Sequence, residues 1–182
     1  RVCVVADRGM ISDATIAGLE ERGLEYILGV RERSSKEVYE VVLNDPKPSV
    51  PLVIPRGRRP DTELEAKNVW VGERRYVVCR NLNEAKRDAE VREAVLRSLR
   101  ESLRGGDKAL VGNSAYRRYL KTPDDKHFEI DERRVAEDAR YDGLYVLRTN
   151  MRLDPLAVML CYRELLKVED IFRTTKSILD TR

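Results

Sequence analysis

The apolar positions change period several times along the chain, and each change marks an element. Val2-Cys3-Val4-Val5-Ala6 is a continuous β-branched run, the pattern of a strand covered on both faces. After Asp7-Arg8-Gly9, Ser12 or Asp13 caps a helix that runs to Gly23, and Gly23 leads into a second buried strand at Leu24 to Arg31. Strand, helix and strand in this order form a βαβ unit, so the two strands are expected to be parallel.

From Ser34 to Asn81 the texture turns to breakers and short β pieces. Asn44-Asp45-Pro46-Lys47-Pro48 and Pro55-Arg56-Gly57-Arg58-Arg59-Pro60 interrupt it, and Gly72-Glu73 joins Asn68–Val71 to Arg75–Cys79 as a hairpin. This stretch reads as a β-rich insertion outside the α/β sheet. Asn81 or Asn83 then caps a long helix over 83–104, with an apolar seam of Val91, Val95, Leu99 and Leu103 and a stop at Gly105-Gly106. Beyond a basic and aromatic segment at Lys108–Lys121, a polar stretch leads to the Asp142-Gly143 turn and a strand over Leu144–Asn150.

Asp154 followed by Pro155 opens the last helix. At about 100° per residue, Cys161, Leu165, Val168, Phe172, Thr175 and Leu179 share a core stripe. Tyr162, Glu169, Arg173 and Lys176 share a second, polar stripe. Two readings of that stripe are open: a carboxylate with phosphate-binding neighbours, or a solvated face on which Glu169 pairs with Arg173. Asp7 is similarly double, either a turn former or a ligand at the carboxyl end of a buried strand.

Composition narrows the chemistry. The 182 residues carry 35 Lys and Arg against 32 Asp and Glu, a net charge of +3, which excludes a strongly basic tail but not a local basic surface. Arg56, Arg58 and Arg59 flank Gly57 in a loop suited to phosphate or simply to solvent, and Arg117 and Arg118 interleave with Tyr116 and Tyr119 in the same ambiguous way. Cys3, Cys79 and Cys161 lie in apolar runs without metal spacing, and the single His127 excludes a histidine cluster. A metal here would need oxygen ligands, which favours Mg²⁺ or Mn²⁺. No apolar run spans a membrane and no secretion signal is legible. The start at Arg1, directly inside a strand-like run, leads us to expect a segment of a longer protein.

Several of these segments together resemble the DDE transposases of bacterial insertion sequences, in the group with a Tyr-x2-Arg-x3-Glu-x6-Lys signature. Tyr162, Glu169 and Lys176 match that signature in spacing, and Leu165 stands where the family has Arg. Val4 to Gly9 resembles the segment around the family's second catalytic aspartate, Asp142 to Asn150 resembles the strand before its glutamate helix, and Lys108 to Leu120 resembles part of its insertion.

The resemblance implies an α/β fold with a partial ribonuclease-H-like core, interrupted by a β-rich or mixed insertion. Residues 1–33 would be the strand-helix-strand end of the core, 34–150 the insertion and 151–182 the glutamate helix. It implies Mg²⁺-dependent strand cleavage and transfer of an insertion sequence, with Asp7 and Glu169 as catalytic metal ligands and Tyr162 and Lys176 on DNA phosphate. Arg173 joins these as a phosphate contact on the same face. The implied partners are transposon-end and target DNA, with a homodimer on DNA, a cytoplasmic, nucleoid-associated location and no membrane.

The family's first catalytic aspartate would precede Val2, so these 182 residues alone are expected not to transpose. The competing expectations are a non-catalytic DNA-binding remnant and another ribonuclease-H-like nuclease.

Overall fold

The computed structural model describes residues 2–7, 12–30, 33, 35–54, 61–105, 114–122 and 127–165. They fall into two compact units, residues 1–80 with 145–182 and residues 81–144.

The first unit is a mixed α/β unit built on a six-stranded sheet. In chain order its strands are β1 (Cys3–Ala6), β2 (Glu25–Val30), β3 (Val50–Ile54), β4 (Thr62–Val71), β5 (Arg74–Asn81) and, after the second unit, β8 (Leu144–Thr149). Their order in space is β1-β2-β8-β5-β4-β3. As expected, β1 and β2 run parallel, with Val5 opposite Ile27, and α1 (Asp13–Glu21) connects them. Ser12 caps α1 by accepting from the Thr15 amide at 3.2 Å. Gly23, with φ +63°, ends the helical stretch where a side chain would be strained.

The sheet overturns one boundary. Strands from the stretch expected to stand outside it, β3, β4, β5 and β8, are hydrogen-bonded into the same sheet as β1 and β2. β8 pairs antiparallel with β2, Gly29 opposite Leu147. The body that clusters apart is therefore Asn81–Leu144, not 34–150. The physical reason is that β5 and β8 carry buried apolar residues on both faces, which only a covered sheet can accommodate, and β4 turns Leu64 and Ala66 into the same core. β1, expected to be covered on both faces, is instead a terminal strand among the described ones and partly exposed throughout. A short π-helical segment at Val38–Val42 gave no signal in the sequence beyond its buried valines.

One face of the sheet holds the main core. Ile27, Ile54, Leu64, Ala66, Val77, Cys79 and Leu147 meet Val158 and Met159 of α5, the helix over 155–165. The other face carries polar bonds. Tyr26 donates to Glu20 Oε1 at 2.6 Å, and Arg148 reaches the same oxygen at 3.3 Å. Tyr76 donates to Glu37 Oε1 at 2.5 Å, and Arg74 pairs with Glu37 Oε2 at 2.6 Å. Burial, followed by these carboxylates, pushes both phenols up from their ordinary value.

The second unit holds α2 (Leu82–Gly105), α3 (Ser114–Arg117), β6 (Leu120–Lys121), β7 (Glu129–Ile130) and α4 (Glu132–Ala139). Asn81 caps α2 by accepting from the amides of Asn83 and Glu84 at 3.0 and 3.1 Å, so it, not Asn83, is the cap. The seam of α2 is shifted from the expected one. Leu96 and Leu99 are buried against Tyr119 and Leu120, Val95 and Leu103 pack at the margin, and Val91 is 64% exposed. Among the described residues no helix is long and apolar enough to cross a membrane.

Candidate active site at the end of the first strand

The site begins with two elements of the first unit that the sequence sets far apart. Asp7 follows directly on β1, and Tyr162 lies on α5. The Tyr162 hydroxyl donates to Asp7 Oδ1 at 2.9 Å. Both residues are half-buried, and Tyr162 packs with Cys3, Val5 and Cys161 against the main core. Hydrophobic packing thus holds the ring, and its hydroxyl holds one oxygen of the Asp7 carboxylate.

The path from β8 into α5 is tied down bond by bond. Thr149 Oγ1 donates to the Tyr26 carbonyl at 2.6 Å and accepts from the Met151 amide at 3.1 Å. Asn150 brackets the start of β2, accepting from the Tyr26 amide and donating to the Leu24 carbonyl, both at 2.9 Å. Arg75 then takes over from β5. Its Nη1 donates to the Met151 carbonyl and its Nη2 to the Leu153 carbonyl, both at 2.5 Å, while Nε and Nη2 hold Asn68 Oδ1 at 3.0 and 2.8 Å. Asp154 caps α5, accepting from the Ala157 amide at 3.0 Å.

The expected helix start is therefore borne out, and its core stripe gains a first member. Val158 is fully buried, and Cys161 and Leu165 of the expected core stripe are partly buried; Tyr162, expected on the polar stripe, is instead partly buried and packs against the core, because it lies only four residues on from Val158.

Thiol chemistry in this region is subdued. Cys3 donates to Met151 Sδ at 3.4 Å, and burial, then Cys161 and Glu25, raises its pKa. Burial raises Cys79 further, and it sits 2.9 Å from Met159 Sδ. Neither thiol is poised as a nucleophile at neutral pH.

Of the residues singled out from sequence, Asp7 and Tyr162 come together directly. Arg117 and Arg118 belong to the second unit. Arg117 is exposed, whereas Arg118 pairs with Asp138 and lies 5.2 Å from the centroid of the Tyr119 ring. Tyr119 in turn donates to Asp138 Oδ2 at 2.5 Å, and Tyr116 shares a 2.7 Å hydrogen bond with Ser98, so both tyrosines serve packing. Glu169, Arg173, Lys176, Arg56, Arg58 and Arg59 lie outside the described residues.

For a divalent cation, Asp7 supplies a hard oxygen donor of the kind Mg²⁺ prefers. Among the described residues no three His, Cys, Asp or Glu side chains converge on one point. Asp7 is therefore a single candidate donor here, and Glu169, the other ligand expected from the sequence, lies outside the described residues.

Arg75 is the functional candidate that the sequence reading missed. The available signal was its phase: Arg75, Val77 and Cys79 alternate onto the face of β5 that carries the core, so a charge stands where an apolar residue belongs.

Comparison with family models, curated proteins and solved structures gives no match.

Proposed function

We propose that this chain carries part of the catalytic domain of a DDE-type transposase, acting in Mg²⁺- or Mn²⁺-dependent cleavage and transfer of DNA strands. The observation that supports this reading is the 2.9 Å bond between Asp7 and Tyr162. The sequence points to both residues independently of this contact, to Asp7 as a metal ligand and to Tyr162 as a contact to DNA phosphate. A ribonuclease-H-like arrangement of the mixed sheet is part of the proposal, as are a DNA partner and a homodimer on DNA.

In this reading Asp7 and Glu169 hold the cation, which when bound supplies Lewis-acid polarisation of a phosphoryl oxygen. Tyr162 orients the Asp7 carboxylate from the helix side. The same residue borders the DNA path, where Lys176 and Arg173 would meet backbone phosphate. The chain's own contribution is rigidity: the ligand-bearing strand end and the helix are held together by packing before substrate arrives.

A second reading is a non-catalytic DNA-binding remnant, in which basic residues such as the exposed Arg117 meet the DNA backbone without metal chemistry. One experiment separates the two. The full-length protein is titrated with supercoiled plasmid carrying element ends, following binding over a range of salt and nicking with and without Mg²⁺. Nicking that requires the metal supports the transposase reading. Salt-dependent binding with no nicking supports the remnant, and the absence of binding contradicts both.

A further inference from the structure

The buried guanidinium of Arg75 stands where a charge is expensive, yet its acceptors come from two separate parts of the first unit. Arg75 is 5% exposed and makes four hydrogen bonds, two to Asn68 Oδ1 on β4 and one each to the Met151 and Leu153 carbonyls. Those carbonyls flank the last residues before α5, and Asp154, next in the chain, caps the helix. Burial lowers the Arg75 pKa, an effect opposed by the Asp154 carboxylate, so the cap supplies countercharge. Arg remains charged under any ordinary condition, and its planar fork reaches acceptors that a Lys ammonium cannot hold simultaneously.

A side chain needed only to fill the core between β4, β5 and α5 would be apolar, as Val77 and Cys79 are on the same face. Its replacement by a fork that grips two carbonyls of one short connector does something different. It fixes the direction in which α5 leaves the sheet.

We infer that Arg75 is a positioning residue: it anchors the connector at Met151 and Leu153 and thereby holds Tyr162 of α5 in register with Asp7. This rests on the proposed role of the Asp7 and Tyr162 pair. A shift of the helix start by one ångström at the connector is carried along a rigid rod to the tyrosine, 11 residues beyond Met151.

The test places 3-fluorotyrosine site-specifically at position 162 of the full-length protein and reads its fluorine resonance in wild type, Asp7→Ala, Arg75→Lys, Arg75→Met and Asn68→Ala. Circular dichroism checks folding, and Mg²⁺-dependent nicking is followed in parallel without the label. The expected result is that Arg75→Lys and Arg75→Met move the resonance towards its Asp7→Ala position. Turnover should fall about tenfold or more, with KM for DNA nearly unchanged, as misplacement of a catalytic group requires.

A resonance unchanged in both Arg75 variants overturns the inference. Should Arg75→Met fail to fold, Arg75→Lys and Asn68→Ala carry the same comparison. Should wild type show no nicking, the transposase reading fails, while the resonance still decides whether Arg75 positions Tyr162.

Discussion

The Tyr162 hydroxyl and the Asp7 carboxylate lie 2.9 Å apart, although 155 residues separate them in the chain. A bond across that distance closes the first unit at the point where β1 ends and α5 passes. Hydrogen bonds to a charged acceptor are worth about 1.5–3 kcal/mol. A double-mutant cycle with Asp7→Ala and Tyr162→Phe, read by urea unfolding, should therefore give a coupling of about 1–2 kcal/mol. Additive single effects would mean that the two side chains do not interact in solution.

Gly143 illustrates a constraint of a different kind in the second unit. Its φ is +61°, and a Cβ there would fall 2.2 Å from the Asn81 carbonyl oxygen and 2.7 Å from the Ala85 amide. The left-handed backbone alone costs a side chain about 1–2 kcal/mol, and the clash adds to it. Gly72 has a similar φ of +59° with open space around it. Gly143→Ala should thus destabilise by about 3 kcal/mol or more and Gly72→Ala by about 1 kcal/mol, strain alone accounting for the second. Equal losses in thermal unfolding would contradict the close approach.

Alkaline titration should expose the Tyr119 environment. Burial, then the hydrogen bond to Asp138, pushes its phenol from 10 up to about 12. Because the folded value lies above the unfolded one, the folded state holds the proton longer. The associated stability is complete below pH 10 and is lost as pH rises towards 12. Tyr119→Phe should flatten the fall of stability in that window relative to wild type, and phenolate absorbance should show one fewer late-titrating tyrosine. An unchanged slope would argue against this assignment. Tyr26 and Tyr76 are also raised, so the comparison must be made against wild type.

Much of the local structure was legible because it rests on local chemistry. The caps at Ser12 and Asp154, the Gly72 hairpin and the parallel pairing of β1 with β2 all follow from short-range rules. What escaped the sequence was long-range. Nothing in Leu64, Val77 or Leu147 taken singly says that β4, β5 and β8 extend the sheet begun by β1 and β2. Alternation fixes which side of a strand is buried, not which strand covers it. The shift of the α2 seam from Val91 to Leu96 has the same origin, since the helix turns its face to whatever packs there, here Tyr119 and Leu120.

In the candidate site, residue type and spacing singled out Asp7 and Tyr162, but no short pattern could have supplied their contact. Arg75 has one signal in the sequence, its phase on β5, and that signal is masked because an arginine beside a turn reads as exposed.

The most direct measurement is Mg²⁺-dependent cleavage of DNA bearing the element's ends by the full-length protein, compared with Asp7→Asn and Glu169→Gln. Wild type should cleave and each variant should lose about a hundredfold or more of that activity, while binding of the same DNA stays within a few-fold of wild type. Cleavage by the variants at the wild-type rate would contradict the roles of Asp7 and Glu169 as metal ligands.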